Sequence, residues 1–406
     1  MMERAESRQS PSRLLWVLFA AYFTFGMITN VLGVIIPVVI QEYRISLFAA
    51  GLLVFAFYIS YGFFSIPTGL LMDRFGARPL VLTGVVLMTV GCAAVSLART
   101  YSIVAAMIFA VGVGVTVLQT AGNPLIERLD RPGNYHRNLT LTIGFCGIGA
   151  FAGPFLLAFI QGTGQPWRRL YLYFAALCVA VLGLLALSRF PDREPGSAQA
   201  VHLERIPRLL RNPIVLSYSL GVFFYVGAEV GTASWIVKFF ERVHGLHSDV
   251  PGPRAGRLVT GLLPALPAFT VSMFWGLQGM GRMVSGAAFN KFGSRTVLRL
   301  YALLSLVCLV FATLGPKNVT AAGFAACGFF TSVLITLIFS GAIHTFPANE
   351  GSVSGILCTA AAGAALIPPA VGWVGDHFGM RAAMAIPVLC LAYVVGLSIW
   401  GKAKYE

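Results

Sequence analysis

Apolar residues run along this chain in blocks of roughly 20 or more, separated by short polar turns, and a membrane-crossing helix needs about that length. A window of that size places spans near 14–40, 47–71, 79–98, 101–126, 138–160 and 168–189, then near 213–240, 258–289, 296–314, 319–346, 352–375 and 380–401. They are numbered 1 to 12 below. Pro and Gly recur within them, as membrane helices tolerate when neighbours satisfy the freed backbone. The most polar stretch, Arg189 to Arg211, divides the series in the middle. The pattern predicts an all-α polytopic membrane protein of twelve helices in two pseudo-symmetric six-helix bundles, 1–188 and 213–406. A linker at 189–212 joins them, and a short surface helix fits near 201–211.

A repeat relates the bundles. Gly69-Leu-Leu-Met-Asp73-Arg74-Phe75-Gly76-Ala-Arg78 returns as Gly286-Ala-Ala-Phe-Asn290-Lys291-Phe292-Gly293-Ser-Arg295 and as Gly372-Trp-Val-Gly-Asp376-His377-Phe378-Gly379-Met-Arg381. All three fit G-x-x-x-[DN]-x-F-G-x-R, and each closes one span and opens the next. The spacing projects a fourth copy near Gly153, where the pattern has eroded. The unit is therefore three helices used four times. In this turn Gly69 and Gly286 are expected where helices approach closely. Asp73 is placed to accept backbone N–H groups at a neighbouring helix N-terminus. Arg74, Arg78, Lys291 and Arg295 stand at headgroup level, where they can pair in one gate position and part in the other. Asn290 replaces the acid, so the second copy carries a weaker charge network. The third copy, at Asp376, reads as an outer-face relic of the repeat.

Composition agrees. The chain is 57% hydrophobic and only 11% charged, less than half the charge of a typical soluble domain, so the bilayer is its main partner. A net charge of +14 would suggest nucleic acid in a soluble protein. Here Lys and Arg gather at span ends without aromatic interleaving, and no nucleic-acid partner is expected. Most of the 29 basic residues fall on the side that holds both termini, which predicts cytoplasmic termini, linker and Asp73 and Asn290 turns. The seven cysteines lie inside apolar stretches without metal or disulfide spacing, as small buried hydrophobes. Met1 to Arg13 is short, polar and basic, and no cleavable signal is expected.

Polar side chains at membrane depth are expensive and face a cavity or another helix. Span 4 carries Thr116, Gln119, Thr120 and Asn123; span 7 carries Tyr225, Glu229 and Thr232, with Trp235 continuing the line. Span 8 has Trp275, Gln278 and Arg282, and span 10 has Ser332, Thr336, Ser340 and His344 at i, i+4 spacing. Span 1 offers Thr29 and Asn30. Spans 1, 4, 7 and 10 are equivalent in the repeat, as a shared central cavity requires. Ser and Thr here can equally glue helices, but two amides one turn apart, Gln119 and Asn123, need several partners each. Glu229 is the carboxylate set deepest within a span. It is the candidate to hold a proton or a sodium ion, with a structural ion pair as the plain alternative. Arg282 is either its counter-charge or a clamp at the end of the bundle. His344, Glu350 and His377 lack metal-ligand spacing, and no catalytic triad can be assembled, so neither an enzyme nor a resident cofactor or metal is expected.

Twelve spans with this turn resemble the major facilitator superfamily over the whole chain. Narrower features are similar to the fucose–proton symporter family, which includes bacterial glucose/galactose carriers. They are Gln119-Thr-Ala-Gly-Asn123-Pro124, Arg137-Asn138-Leu139, Tyr225-Val-Gly227-Ala-Glu229, Phe274-Trp275 and Gly281-Arg282. The resemblance implies a monosaccharide moved across a bacterial inner membrane and uptake coupled to a cation. The chain departs from that family in having Gly33 and Gln119 where the symporters carry an Asp and a Glu, and in lacking the family's proline in span 10. The two acids are linked there to proton coupling and sugar binding. Without them Glu229 takes over, sodium replaces the proton, or the protein is a uniporter. The expected function is alternating-access transport of a small polar solute by a monomer. Asn30, Gln119, Asn123, Gln278 and Glu229 would bind it, and Tyr225, Trp235 and Trp275 would cover its apolar face. Export of amphipathic drugs or metabolites and a sugar sensor without flux are the alternatives.

Overall fold

The computed structural model describes residues 10–129, 137–191, 206–246, 266–346 and 350–402. Helices account for every regular element among them. Eleven helical segments are long and apolar enough to cross a membrane, and Leu266–Phe292, 27 residues long, is the remaining span, the eighth. Span 1 comprises Ser10–Asn30 and Leu32–Tyr43; spans 2 to 6 are Leu47–Phe75, Ala77–Leu97, Tyr101–Arg128, Arg137–Gly162 and Arg168–Ala186. Span 7 is Pro213–His244 and span 9 is Ser294–Leu314; span 10 comprises Lys317–Thr331 and Leu334–Thr345. Span 11 comprises Glu350–Ala360 and Gly363–Phe378, and span 12 Met380–Ala383 and Ala385–Trp400. The expected surface helix is present as Ile206–Leu210; most of the linker and residues 258–265 of the expected eighth span lie outside the described residues.

Local chemistry sets the helix ends. Span 7 starts at Asn212, whose side chain accepts from the Ile214 N–H at 2.9 Å, and Pro213 takes the first helical position, where its missing N–H costs nothing. It stops at Gly245, whose φ of +64° suits glycine. The recurring turn has a similarly simple basis. Its second glycine, in the Phe-Gly pair, takes φ of +82° at Gly76, +76° at Gly293 and +83° at Gly379. A side chain there would be strained, so the glycine swings the chain directly from one helix into the next at all three copies.

Each half is a bundle packed through small residues. Span 3 lies on span 4 where Gly84 and Gly114 face each other, and span 1 lies on span 5 where Gly26 meets Cys146 and Gly149 meets Phe23. In the second half Gly328 of span 10 abuts Phe274 of span 8, and Gly363 of span 11 abuts Phe223 of span 7. Close backbone approach of this kind maximises dispersion contact where lipid gives no hydrophobic drive between helices. The halves meet along span 5 with span 8 and span 2 with span 11, and through the second part of span 1 against span 7.

Candidate functional site

Glu229 is the centre of the polar interior. It is buried at 7% exposure on span 7. The Gln278 amide nitrogen on span 8 donates to its Oε1, and one turn further along span 8 an Arg282 Nη lies 3.8 Å from the same oxygen. The Arg282 Nε donates to the Ser332 carbonyl at 3.1 Å. Tyr225, one turn before Glu229, is wholly buried and donates its hydroxyl to the Thr331 carbonyl at 2.9 Å. Both carbonyls come from the interruption of span 10 at Ser332–Val333. A helix end inside a membrane leaves carbonyls that need partners, and spans 7 and 8 supply them. Glu229, Gln278 and Arg282 are thus brought together, and Arg282 is the counter-charge of Glu229. Tyr225 is not free to cover a ligand, because its hydroxyl holds the broken helix.

A second group lies where the halves converge. Thr29, Asn30 and Gly33 of span 1, Tyr58 of span 2, Ser234 of span 7 and Trp275 of span 8 line a void of about 10 Å³, room for a single water. Asn30 donates to the Gly26 carbonyl at 3.0 Å, and the Thr29 hydroxyl is buried without a protein partner. Tyr58 and Tyr61 stack with ring centroids 5.9 Å apart. These tyrosines were missed in the sequence because span 2 carries no amide or acid beside them to mark a polar face.

The first half contributes span 4. Asn123 is exposed, and its Oδ1 accepts from the buried Tyr22 hydroxyl of span 1. Gln119 lies one turn away, half-buried. Thr116 bonds Ser60 of span 2 at 3.0 Å and its own Gly112 carbonyl, so it glues helices. Trp235 departs from the expectation: it is fully buried and donates to the Pro368 carbonyl of span 11 at 3.0 Å, so it packs spans 7 and 11 and does not line the void.

The end of the molecule away from both chain termini is sealed between halves. A methyl group built on Gly33 would lie 2.7 Å from the Ala233 carbonyl oxygen, on Gly51 2.7 Å from Pro369 Cα, and on Gly372 2.5 Å from the Leu47 carbonyl oxygen. Asp376 accepts from the backbone N–H groups of Leu47 and Phe48, both at 2.9 Å. That corrects the reading of this turn as a relic: its carboxylate caps span 2 of the opposite half, with the helix dipole aligned to favour it. At the other end, among the described residues nothing lies within 4 Å of a methyl built on Gly62, Gly69 or Gly355. The close approach expected at Gly69 is therefore not found among the described residues. Spans 5 and 8 stay together, with a methyl on Gly147 3.3 Å from Gly279 Cα.

Two of the other expected gate residues reach carbonyls of their own halves. Arg78 donates to the Ala186 carbonyl of span 6 at 3.5 Å, and Arg295 donates to the Gly401 carbonyl after span 12. Each is a cation at a helix C-terminus, tying span 3 to span 6 and span 9 to span 12. Arg74 lies over the Phe75 ring at 5.3 Å. The side chains of Asp73, Asn290 and Lys291 lie outside the described residues.

Comparison with known proteins bears on this arrangement. The family model described as Major Facilitator Superfamily matches residues 18–278. A Brucella abortus protein named glucose/galactose transporter is 27% identical, covering 94% of this chain and 92% of its own. The Escherichia coli L-fucose-proton symporter is 24% identical, covering 93% and 90%. A crystal structure of the E. coli fucose:proton symporter superposes with a TM-score of 0.66 at 22% identity, over 98% of this chain and all of that one. A bacterial homologue of the human lysosomal transporter Spinster reaches 0.76 at 16% identity, over 96% of each chain.

Proposed function

The chain belongs to the Major Facilitator Superfamily, and we propose that it is a proton-coupled monosaccharide transporter working by alternating access. The moving bodies are the halves 1–188 and 213–406, joined by the linker 189–212. The Lys and Arg bias supports a bacterial inner membrane with both termini cytoplasmic, so the sealed end faces outward and the opposite end the cytoplasm. The observation that carries the sugar reading is the interior itself: the Asn30 amide beside the rings of Tyr58 and Trp275, with further amides at Asn123 on span 4 and at Gln278 against Glu229. Hydroxyl groups need amides and acids, and the C–H face of a sugar ring needs an aromatic surface. Relatives named for glucose/galactose and fucose support the same class.

Coupling follows from the Glu229 pair. A guanidinium 3.8 Å from the carboxylate already balances its charge and repels a second cation. A proton needs no such space: on Glu229 it cancels the attraction to Arg282 and leaves that side chain to the Ser332 carbonyl. The proton is therefore the ion this geometry favours over sodium. Gly69, Asp73, Arg74, Arg78, Asn290, Lys291 and Arg295 accompany the cytoplasmic rearrangement, while Gly372 and Asp376 hold the outer end.

Counterflow in proteoliposomes with labelled D-glucose, D-galactose and L-fucose tests the substrate class, and absence of saturable exchange for any of them would overturn it. Uptake with pH and sodium gradients imposed separately tests the coupling. We expect a pH gradient to drive accumulation in the native protein, and Glu229→Gln to abolish accumulation while leaving exchange. Sodium-driven uptake, or an unchanged gradient response in that variant, would remove Glu229 from the coupling role.

A further inference from the structure

Asn123 is held from behind. Tyr22 is buried at 2% exposure on span 1, fixed edge-to-face against Phe25 at 6.0 Å between centroids, and its hydroxyl donates to Asn123 Oδ1 across to span 4. The preceding residue is shaped for this contact: a methyl group on Gly122 would lie 2.9 Å from the Tyr22 hydroxyl oxygen. A carboxamide has one acceptor end and one donor end. With Oδ1 turned to the buried phenol, the amide nitrogen is the end that Asn123, itself exposed, leaves available. Gln278 is held the other way round, its nitrogen spent on Glu229.

We propose that Tyr22 is a positioning residue that locks the Asn123 amide with its NH2 group toward the substrate, so that this part of the site recognises an oxygen of the sugar acting as acceptor. The proposal rests on the reading of the interior as a sugar site. It also specifies the substrate: at the position facing Asn123 the sugar must present an oxygen lone pair, and a deoxy analogue lacking that oxygen binds no better to the native protein than to Asn123→Ala. Tyr22 touches no substrate. Losing its hydroxyl frees the amide to rotate and costs the orientation worth about one hydrogen bond, roughly three- to tenfold in affinity.

The test uses whichever of D-glucose, D-galactose or L-fucose the native protein exchanges in counterflow. Tyr22→Phe should raise the half-saturation concentration about three- to tenfold with the maximal exchange rate unchanged. Gly122→Ala, which keeps the phenol but displaces it, should do the same. Asn123→Asp keeps an acceptor for Tyr22 and loses the donor, so it should fall with Asn123→Ala. Tyr22→Phe added to Asn123→Ala should have no further effect. An unchanged half-saturation in Tyr22→Phe, or additive effects in the double variant, overturns the proposal. Where the native protein exchanges none of the three sugars, the sugar reading fails by itself. The positioning is then read without substrate from the Asn123 side-chain amide signals in nitrogen-15 NMR, identified by their loss in Asn123→Ala. Tyr22→Phe should shift or average them, and unaltered signals overturn the proposal.

Discussion

The turns at Gly69–Arg78 and Gly372–Arg381 share a sequence pattern and a backbone bend, yet they stand in opposite situations. Gly372 is pressed against the Leu47 backbone and Asp376 caps span 2, so the turn after span 11 binds one half of the protein to the other. Around Gly69 there is no neighbour among the described residues. The bends, with φ of +82° at Gly76 and +83° at Gly379, are nearly identical. The difference therefore does not arise in the turn. It arises from which partner helix is within reach, and in the proposed alternating-access cycle that partner changes from one side to the other. The first glycine and the acid of the pattern serve the contact between halves; the second glycine serves the chain reversal, and it is the same whether the contact is made or not.

This separation can be broken deliberately. The largest effect is expected from Gly372→Val, which forces a branched side chain into the Leu47 backbone. Overpacking of about 1–3 kcal/mol should shift the outer end toward opening by roughly 5- to 150-fold, whereas Gly69→Val should leave the sealed outer end intact. The readout is labelling of a cysteine at position 234, in a cysteine-free background, by an impermeant thiol reagent from outside. Asp376→Asn comes next. It keeps the shape but leaves one neutral bond, because the amide nitrogen that replaces the second oxygen cannot accept from the other backbone N–H, for a loss of about 1–2 kcal/mol and roughly 5- to 30-fold more outside labelling. Unchanged labelling would mean that the carboxylate is incidental to the seal. Gly76→Ala and Gly379→Ala should each cost at least about 1 kcal/mol of stability, equally at both ends, seen as matched falls in thermal midpoint in detergent. Unequal falls would tie the bend to the contact after all. The smallest effects, about 0.5 kcal/mol, are expected for Arg78→Ala and Arg295→Ala, again in stability and without altered labelling.

Much of this architecture is legible in the chain because the bilayer dictates it. Span length, turn spacing and the isolation of Glu229 among apolar residues are one-dimensional facts, and the helices fall where those facts put them. The interior is legible only in part. Helical spacing put Trp235 on the line of Glu229, but spacing cannot say that span 11 approaches span 7 on that side, so the ring packs against Pro368. The interruptions at Val31 and at Ser332–Val333 carry no proline to announce them; at Ser332 they persist because Tyr225 and Arg282 compensate from other helices. Tyr22 and Tyr58 look like ordinary aromatic filling until Asn123 and Trp275 are set beside them by the tertiary packing.

The contact between Gly33 and the Ala233 carbonyl also constrains substitution. The resemblance to the fucose symporters implies an acid at the corresponding place in them. Here even a methyl group would lie 2.7 Å from that carbonyl oxygen, so a side chain at position 33 has to part spans 1 and 7. Replacement there selects against the sealed state and not against the fold, and randomising position 33 alone should return, besides glycine, variants biased toward the conformation in which this seal is open.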